Sequence, residues 1–446
     1  MTTTSLKMKG HSIASFFLAA ILSIVQLSSC HKSGVISSNS KQPFSYSSEV
    51  LDKWMTLQLR LMRKATGIPN QAFSRHYAYA GIAALESIAP GLPAHANWTR
   101  RWNGLTGLPE SAPGVQYYYP ANVNAAMASI NRAFFPNASS ADKSAIDSLE
   151  TALNQEFLTS HPQSLIHESV LFGKAVAAAV FSWADADGYK NAGSPYTAPV
   201  GPGLWVPTAP AFANASTPYW GNNRTVITGS IDNIPFQAPV TYSTDPNSAF
   251  FQMAKQVYDV SQNLTAEQLA MAIFWRDVPG ATSPGHWLSI VQQVVRQTGS
   301  SLDKAAYAYA MTGAAINDGL ISCWKAKFHF NLVRPITYIR DVMGISTWTP
   351  SLTTPPHPEC TSAHAVLSVA AGEVMTQIFG NIGSFTDHTY DYLQLAPRAY
   401  PNFRAIGLEA AQSRLYAGIH YQPSIDAGIN QGKKVAANIL SIPGEN

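Results

Sequence analysis

The chain has 446 residues, of which 46% are hydrophobic and only 12% are charged, so it is long and apolar enough to bury a large core. This composition excludes a disordered or collagen-like protein. A net charge of +3, without a run of lysines and arginines, excludes a surface that coats nucleic acid. The three cysteines, Cys30, Cys323 and Cys360, cannot form a disulfide framework and lack the paired spacing of a zinc site.

The first thirty residues have the features of a bacterial export signal. Two lysines precede an apolar run over residues 12–27, which has the length of a signal-peptide core. The run leads into Leu27-Ser28-Ser29-Cys30, which resembles a lipobox. We expect residues 1–29 to be a lipoprotein signal peptide and Cys30 to carry the lipid that holds the exported protein in the cell envelope, in the periplasm or at the outer membrane. The alternative is a plain signal peptide cut near this point, with Cys30 incidental.

Beyond the signal, the sequence predicts a linker and then helices. Residues 30–46 are polar and rich in serine, as in a flexible linker. Apolar residues then recur at helical spacing, first over residues 51–62 and 78–88. Further helices are expected at residues 121–135, 140–158, 164–187, 247–260, 265–276, 285–299, 302–328, 362–380, 402–416 and 423–440. After the first thirty residues no run approaches 18 uncharged apolar residues, so the lipid is the only membrane attachment we expect.

Three long stretches between these helices are irregular and rich in proline, glycine and aromatic residues, at 89–120, 188–246 and 341–360. Loops of this length usually cover a functional site. We therefore predict one all-α domain over residues 47–446, with a helical-bundle architecture of two packed four-helix bundles and long irregular loops.

Two basic residues near the end of the 302–328 pattern could bind one anion together. Lys327 and Arg334 stand seven residues apart, and Pro335 follows. Two helical turns place such positions on one face, about 10 Å from each other, so both side chains can converge. On its own, the pair is more typical of a solvated helix face.

A second cluster runs from His357 to His364. Pro358, Thr361 and Ser362 precede an apolar helical run, which marks a helix N-terminus where backbone N–H groups favour an anion. Ser362 would add a hydroxyl donor. His364 shares a stripe with apolar residues, so its imidazole should point into the bundle. Taken alone, such a histidine is more often hydrogen-bonded within the core.

A third cluster places Arg414 six residues before His420. Gly418 is suited to end a helix and Pro423 to begin the next, so His420 should lie in a tight link between two helices. That geometry turns Arg414 and His420 toward a common point. The alternative is a buried arginine paired with a carboxylate, beside a capping histidine.

Together the clusters resemble the vanadium-dependent haloperoxidases and the related type-2 phosphatidic acid phosphatases and bacterial acid phosphatases. The shared pattern is Lys, six residues, Arg-Pro; then Pro-Ser-Gly-His; then Ser-Arg, five residues, His. Its matches here, in order and at the expected spacing, are Lys327, Arg334, Pro335, Ser362, His364, Ser413, Arg414 and His420. The middle motif departs twice, because Thr361 replaces Pro and Ala363 replaces Gly. Alanine keeps an N–H for the oxyanion but does not adopt positive φ freely.

The haloperoxidase branch matches further, and the specific resemblance covers residues 274–424, with the site motifs in 324–424. The additional matches are Trp324-Lys325-Ala326-Lys327 with Arg340-Asp341, similar to a fungal chloroperoxidase, and Phe274-Trp275 with Pro284-Gly285-His286-Trp287, similar to soluble bacterial members. His357 stands where chloroperoxidases have an aromatic residue and algal bromoperoxidases a histidine. The resemblance therefore favours bromide or iodide over chloride.

The resemblance implies one oxyanion cage, which vanadate fills as the cofactor and which phosphate can also occupy. The residues implied to hold the oxyanion are Lys327, Arg334, Ser362, the amide of Ala363, and Arg414. His420 is implied to be the axial vanadium ligand and His364 the general acid/base, while Lys327 also polarises peroxide. Trp324 and His357 are expected beside this cage.

Three functions follow from these patterns. The haloperoxidase branch favours a vanadate-dependent enzyme that oxidises halide with hydrogen peroxide to hypohalous acid. The alternative is a soluble periplasmic acid phosphatase in which His420 attacks small phosphate esters to form a phosphohistidine. A non-catalytic helical lipoprotein that binds glycans through its 10 Trp and 19 Tyr is the third hypothesis. Such a protein has no need for His364 and His420 facing three cations.

An aspartate and two cysteines near the site motifs each allow two interpretations. Asp318, nine residues before Lys327, could neutralise an arginine of the cage or be an exposed helix acid. Cys323 and Cys360 flank site motifs and could pair in an oxidising compartment or remain free thiols.

Overall fold

The computed structural model describes residues 41–93 and 100–441. The predicted signal peptide, Cys30 and the linker up to residue 40 lie outside the described residues. Within the described ranges the chain forms thirteen α-helices and two three-residue strands, so the prediction of an all-α fold is confirmed. The strands, β1 (Phe385–Asp387) and β2 (Arg398–Tyr400), pair in antiparallel register.

Apolar spacing predicted twelve of these helices, and only the seven-residue α10 was not expected, because it is too short to show a period. The helices are α1 (Glu49–Lys64), α2 (Ala72–Ser87), α3 (Tyr119–Phe134), α4 (Ser140–Leu158), α5 (Gln163–Asp185), α6 (Ala249–Gln262), α7 (Ala266–Phe274), α8 (Ser283–Thr298), α9 (Leu302–Phe330), α10 (Pro335–Asp341), α11 (Ala363–Phe379), α12 (Phe403–Tyr416) and α13 (Gln422–Leu440).

Local side-chain caps explain where some helices begin. The Ser139 hydroxyl accepts a hydrogen bond from the Asp142 N–H at the start of α4. At the start of α7, Thr265 and Gln268 form a capping box, in which each side chain bonds to the backbone of the other residue. Such caps satisfy N–H groups that have no acceptor within the helix. These boundaries therefore depend on residues close in sequence.

Helix α9 lies between two groups of helices. On one side it packs against α2, which packs in turn against α3 and α5. On the other side it packs against α11, which packs against α12 and α13. Most side chains of α9 are buried, as expected of a helix with neighbours on both sides. This second group carries the N-terminus of α11 and the link from α12 to α13, where the second and third sequence clusters lie.

A buried carboxylate attaches an irregular stretch to α9. Asp318 is fully buried, and its oxygens accept the N–H groups of Val226 at 2.8 Å and Ile227 at 3.0 Å and the hydroxyl of Ser230 at 2.7 Å. Burial raises the pKa of Asp318 to about 6. Both hypotheses for this residue were wrong, because Asp318 is neither exposed nor bonded to a cage arginine. It holds part of the irregular stretch 188–246 against α9.

One described helical stretch, Gln163–Asn191, is long and apolar enough by composition to cross a membrane. Its apolar residues include Phe172, Val176 and Val180, which are buried in the folded chain, and the α5 helix within it packs against α3. Core helices and membrane helices share this composition. Packing inside the bundle accounts for the apolar residues on the buried face of α5.

Helices α2 and α9 approach closely at Gly81, where a Cβ atom would lie 2.7 Å from the carbonyl carbon of Tyr309 and 2.8 Å from the nitrogen of Ala310. Overpacking against backbone typically costs about 1–3 kcal/mol. We expect Gly81→Ala to lower the free energy of unfolding in urea by that amount. Gly193→Ala is the matched control, because nothing lies within 4 Å of its Cβ position. Equal stability of the two variants would contradict this packing.

Candidate functional site

A cavity of about 390 Å³ lies beside the N-terminus of α11 and the link between α12 and α13. Residues from the second and third sequence clusters line it, and Arg334 of the first cluster contacts two of them, His357 and His420. The lining includes Trp324, His357, Ala363, His364, Arg414 and His420, together with residues that the sequence did not single out, such as Gln71, Asp277 and Pro355. Lys327, Arg334 and Ser362 are fully buried and do not line the cavity themselves.

Lys327 lies in the last turn of α9 and bonds to the backbone of the second cluster. Its ammonium group donates to the carbonyl oxygens of Pro358 at 2.9 Å and Glu359 at 2.8 Å. An ammonium group has three N–H donors, so one remains for a ligand. Burial lowers the pKa of Lys327 to about 8, because the charged form loses its hydration. The side chain is therefore mostly charged at neutral pH, because its pKa still lies above neutral pH.

The approach of Lys327 and Arg334 does not come from one helical face, and that part of the sequence prediction was wrong. Helix α9 ends at Phe330, and Asn331 follows in the left-handed conformation with φ of 46°. Arg334 is then the N-cap of α10. The spacing of apolar residues does not reveal this helix end, because the helix is ended by the backbone angle of one residue.

The guanidinium group of Arg334 joins the second and third clusters. Its Nε donates to the His357 carbonyl oxygen at 2.8 Å, and Nη2 lies 2.9 Å from His357 Nδ1. Its Nη1 donates to the Ile419 carbonyl oxygen at 2.9 Å and to His420 Nε2 at 3.2 Å. Burial lowers the pKa of Arg334 to about 10, so the group stays charged at neutral pH. Because a guanidinium can only donate, His420 Nε2 must be the acceptor in this contact.

The start of α11 supplies further donors. Ser362 is the N-cap, and its fully buried hydroxyl has no hydrogen-bond partner among the described residues. The first N–H groups of a helix have no acceptor within the helix and favour an anion. Ala363, the first helical residue, is not among the residues with positive φ. This helix start therefore does not require the glycine of the resembled pattern.

Arg414 and His364 bring a third cation and a neutral imidazole to the cavity. Arg414 Nη1 donates to the Trp275 carbonyl oxygen at 2.6 Å, while its Nε is buried without a partner among the described residues. His364 Nε2 lies 3.7 Å from Asp277 Oδ1. Burial, with the nearby charge of Arg414, holds the pKa of His364 well below its usual value. A neutral imidazole next to a carboxylate is suited to accept and return a proton.

His420 lies in the tight link that the sequence predicted. Gly418 has a φ of 76°, and a Cβ there would lie 3.0 Å from Pro350 Cβ, so both the turn and the packing favour glycine. His420 Nδ1 lies 2.7 Å from Glu359 Oε1. Burial and the charge of Arg334 hold the pKa of His420 well below its usual value. The imidazole is therefore neutral.

Sequence reasoning missed two carboxylates of this site. Glu359 is fully buried beside His420, and burial raises its pKa to about 7. It stands five residues before His364, so its place in the second cluster was a usable signal. Asp277 lines the cavity but is distant in sequence from all three clusters. Only the packing of the chain between α7 and α8 brings it to them.

The two described cysteines are buried free thiols. The Cys323 thiol donates to the Thr361 carbonyl oxygen at 3.5 Å. Burial raises the pKa of Cys323 and brings that of Cys360 to about 12. The sequence allowed either a disulfide between Cys323 and Cys360 or two free thiols, and the structure contains two free thiols.

The donors of this site suit a tetrahedral oxyanion such as vanadate or phosphate. Three buried cations, Lys327, Arg334 and Arg414, supply positive charge. The Ser362 hydroxyl and Arg414 Nε lack partners among the described residues, and such buried groups are costly unless a ligand satisfies them. The neutral imidazole of His420 adds Nε2, whose lone pair accepts from Arg334 Nη1 in this structure and would bind vanadium in place of that hydrogen bond. The residues present therefore fit a vanadate ion.

The chain is similar to proteins whose family or structure is known. Residues 307–442 match the family model of the VCPO second helical-bundle domain. A solved structure described as the first bacterial vanadium-dependent iodoperoxidase matches with 31% sequence identity and a TM-score of 0.79, covering 91% of this chain and 98% of that chain. No curated protein sequence matches.

Two bacterial vanadium-dependent chloroperoxidase structures share the fold at 16% sequence identity. The holo-type structure has a TM-score of 0.66 and covers 85% of this chain and 93% of that chain. The apo-type structure has a TM-score of 0.62 and covers 84% of this chain and 95% of that chain. At this identity the likeness extends to the fold alone.

The titration of Lys327 gives the site a defined pH dependence. Because its pKa is about 8, the ammonium loses its proton as the pH rises above that value, and an anion loses one of three positive partners. We expect the dissociation constant of inorganic phosphate, measured by calorimetry, to rise by up to about tenfold per pH unit above pH 8.

In Lys327→Met this rise should be absent. Lys255→Met, which removes an exposed lysine of α6, should keep it. The same pH dependence in Lys327→Met and in the unmodified chain would contradict the assignment.

Proposed function

The chain belongs to the bacterial vanadium-dependent haloperoxidases, and we propose that it oxidises a halide with hydrogen peroxide. One halide ion, one hydrogen peroxide and one proton give one hypohalous acid and one water. The observation that carries the proposal is the placement of His420. Its neutral imidazole lines the cavity, with Nε2 as an acceptor beside Arg334.

In this proposal the cavity wall holds vanadate. The residues that would bind its oxygens are Lys327, Arg334, Ser362, the amide of Ala363, and Arg414. His420 Nε2 would be the nitrogen that ligates vanadium. When bound, vanadate supplies a Lewis-acidic centre at which hydrogen peroxide becomes reactive toward a halide.

The residues of the chain provide charge and proton transfer. Lys327 keeps one N–H after bonding to two carbonyl oxygens, so its positive charge can stabilise the oxygen that the halide attacks. His364 is neutral, and protonation during turnover would be favoured by Asp277, whose Oδ1 lies 3.7 Å away. His364 therefore acts as the general acid/base that takes a proton from peroxide and delivers one to the departing oxygen.

We propose bromide or iodide as the halide, because His357 lies beside the cage at the place where, by resemblance, chloroperoxidases have an aromatic residue and algal bromoperoxidases a histidine. His357 Nδ1 contacts Arg334 Nη2 at 2.9 Å, and its ring centroid lies 4.9 Å from that of Trp324. Bromide and iodide are also easier to oxidise than chloride. The similar iodoperoxidase supports this choice.

An acid phosphatase is the second candidate, because the same donors suit the phosphate group of a small ester. The neutral His420 Nε2 would attack phosphorus, and His364 would protonate the leaving alcohol. Water would then hydrolyse the phosphohistidine.

The glycan-binding hypothesis has less support. Nine tryptophans in the described part of the chain are buried, which leaves little exposed indole surface for stacking on sugars.

Purified full-length chain should oxidise iodide or bromide with hydrogen peroxide only after loading with orthovanadate. His420→Ala should abolish this activity, because the nitrogen that would ligate vanadium is lost. His364→Ala should lower the rate by about 10²-fold or more, since general acid/base catalysis typically contributes that much. The measurement is halide-dependent bromination or iodination of a dye, with chloride as the third halide.

His388→Ala is the matched control, because this histidine is exposed and pairs with Asp391 outside the cavity. Oxidation that is independent of vanadate would contradict the proposal. Phosphate-ester hydrolysis that vanadate inhibits, without halide oxidation, would instead favour the phosphatase.

We also propose that the protein is an exported lipoprotein attached through Cys30, on the basis of the lipobox-like sequence. A lipid anchor contributes about 0.8 kcal/mol for each buried CH₂ group. Cys30→Ser, expressed in a bacterial host, should move the protein from the membrane fraction to the soluble fraction. Unchanged membrane association in this variant would contradict a lipid on Cys30.

A further inference from the structure

We propose that Glu359 is a positioning residue that orients His420 and keeps its proton on Nδ1, so that the Nε2 lone pair is available to an electrophilic centre. This inference rests on the proposed function, because it concerns the imidazole that would bind vanadium. It adds a residue that lies outside the Lys-Arg, Ser-His and Arg-His pattern of the sequence clusters.

The backbone and side chain of Glu359 are both held in place. Its carbonyl oxygen accepts from Lys327 Nζ at 2.8 Å, and its N–H donates to the Leu332 carbonyl oxygen at 3.0 Å. Its Oε1 accepts the Tyr421 N–H at 3.0 Å and lies 2.7 Å from His420 Nδ1. The side chain is fully buried. The backbone of Glu359 is fixed by two hydrogen bonds and its carboxyl group by the Tyr421 N–H, so this group can orient the ring beside it.

Two independent contacts assign the same proton position on His420. Its Nε2 lies 3.2 Å from Arg334 Nη1, and a guanidinium can only donate. Nε2 therefore carries the lone pair, and in a neutral imidazole the proton must then be on Nδ1. Glu359 Oε1 is the acceptor for that proton. The assignment does not depend on the charge of Glu359, because the oxygen of a protonated carboxyl group can accept as well.

A carboxylate on the far nitrogen of a ligating imidazole has a known physical effect. It fixes the ring orientation and raises the basicity of the near nitrogen, and its loss typically weakens metal binding by about 10- to 100-fold. Among the described residues, the Glu359 carboxyl group contacts the neutral imidazole of His420 and the Tyr421 N–H, and it makes no direct contact with the Lys327 ammonium or the Arg334 guanidinium. In its ionised form it therefore acts directly on the imidazole.

Vanadate and phosphate distinguish this role from a general electrostatic or structural one. Removing a negative charge close to the cage should strengthen the binding of any oxyanion, if charge alone matters. Vanadium, however, accepts a bond from an imidazole nitrogen, whereas phosphorus in inorganic phosphate does not. Loss of imidazole positioning should therefore weaken vanadate binding and leave phosphate binding unchanged or tighter.

The test is Glu359→Gln, which keeps the size of the side chain. We expect the dissociation constant for vanadate, measured by calorimetry in the absence of peroxide and halide, to rise by about tenfold or more. The constant for phosphate should stay the same or fall. Asp318→Asn is the matched control, because it alters another fully buried carboxyl group that accepts two backbone N–H groups away from the cavity. It should leave the ratio of the two constants unchanged.

Parallel weakening of vanadate and phosphate in Glu359→Gln, or unchanged vanadate binding, would overturn the inference. Should the variant not fold, the unmodified chain provides a second measurement. In vanadate-free protein with ¹⁵N-labelled histidine, long-range ¹⁵N–¹H spectra should show the His420 proton on Nδ1, with the signal identified by its loss in His420→Gln. A proton on Nε2 would overturn the inference. Failure of the unmodified chain to bind vanadate would contradict the proposed function, while the spectrum would still decide the role of Glu359.

Discussion

Arg334 holds together two segments that follow it by 23 and 85 residues, through bonds to the His357 and Ile419 carbonyl oxygens and to His420. A fully buried guanidinium is very costly unless several acceptors surround it. The segment before α11 and the link before α13 supply those acceptors, so each is placed by the same cation. His357 and His420, which Arg334 contacts, line the cavity, so this charge fixes part of the cavity wall. The low dielectric that makes the charge costly also strengthens its attraction for an oxyanion.

The other cations and the histidines of the site leave this positive charge unneutralised. Lys327 and Arg414 donate hydrogen bonds to backbone carbonyl oxygens and not to carboxylates. The histidines are neutral because burial and nearby cations disfavour their charged forms. Positive charge therefore remains available for an anion, while His364 and His420 keep lone pairs. These are the requirements for holding an oxyanion beside a ligating nitrogen and a proton acceptor.

Sequence reasoning succeeded where the signal is local and failed where it depends on packing. Ser362 at a helix N-terminus and His420 after Gly418 could be placed from neighbouring residues, since caps and turns act over a few positions. The helical connection between Lys327 and Arg334 was misread because one backbone angle, at Asn331, ends α9. Asp318 was misjudged for a related reason. Its partners lie about 90 residues away in a loop that has no regular apolar spacing, so the residues near Asp318 in sequence do not indicate that it is buried.

By itself, the sequence determined that the chain is helical, because an apolar period of 3.6 residues is visible in every long helix. Through the resemblance of its motifs, the sequence also predicted which cations and histidines would hold an oxyanion. Only the tertiary structure decided that Glu359 lies on His420 and that Asp277 lies near His364. Burial and the direction of a hydrogen bond are properties of groups brought together from distant parts of the chain, and spacing along the chain does not contain them.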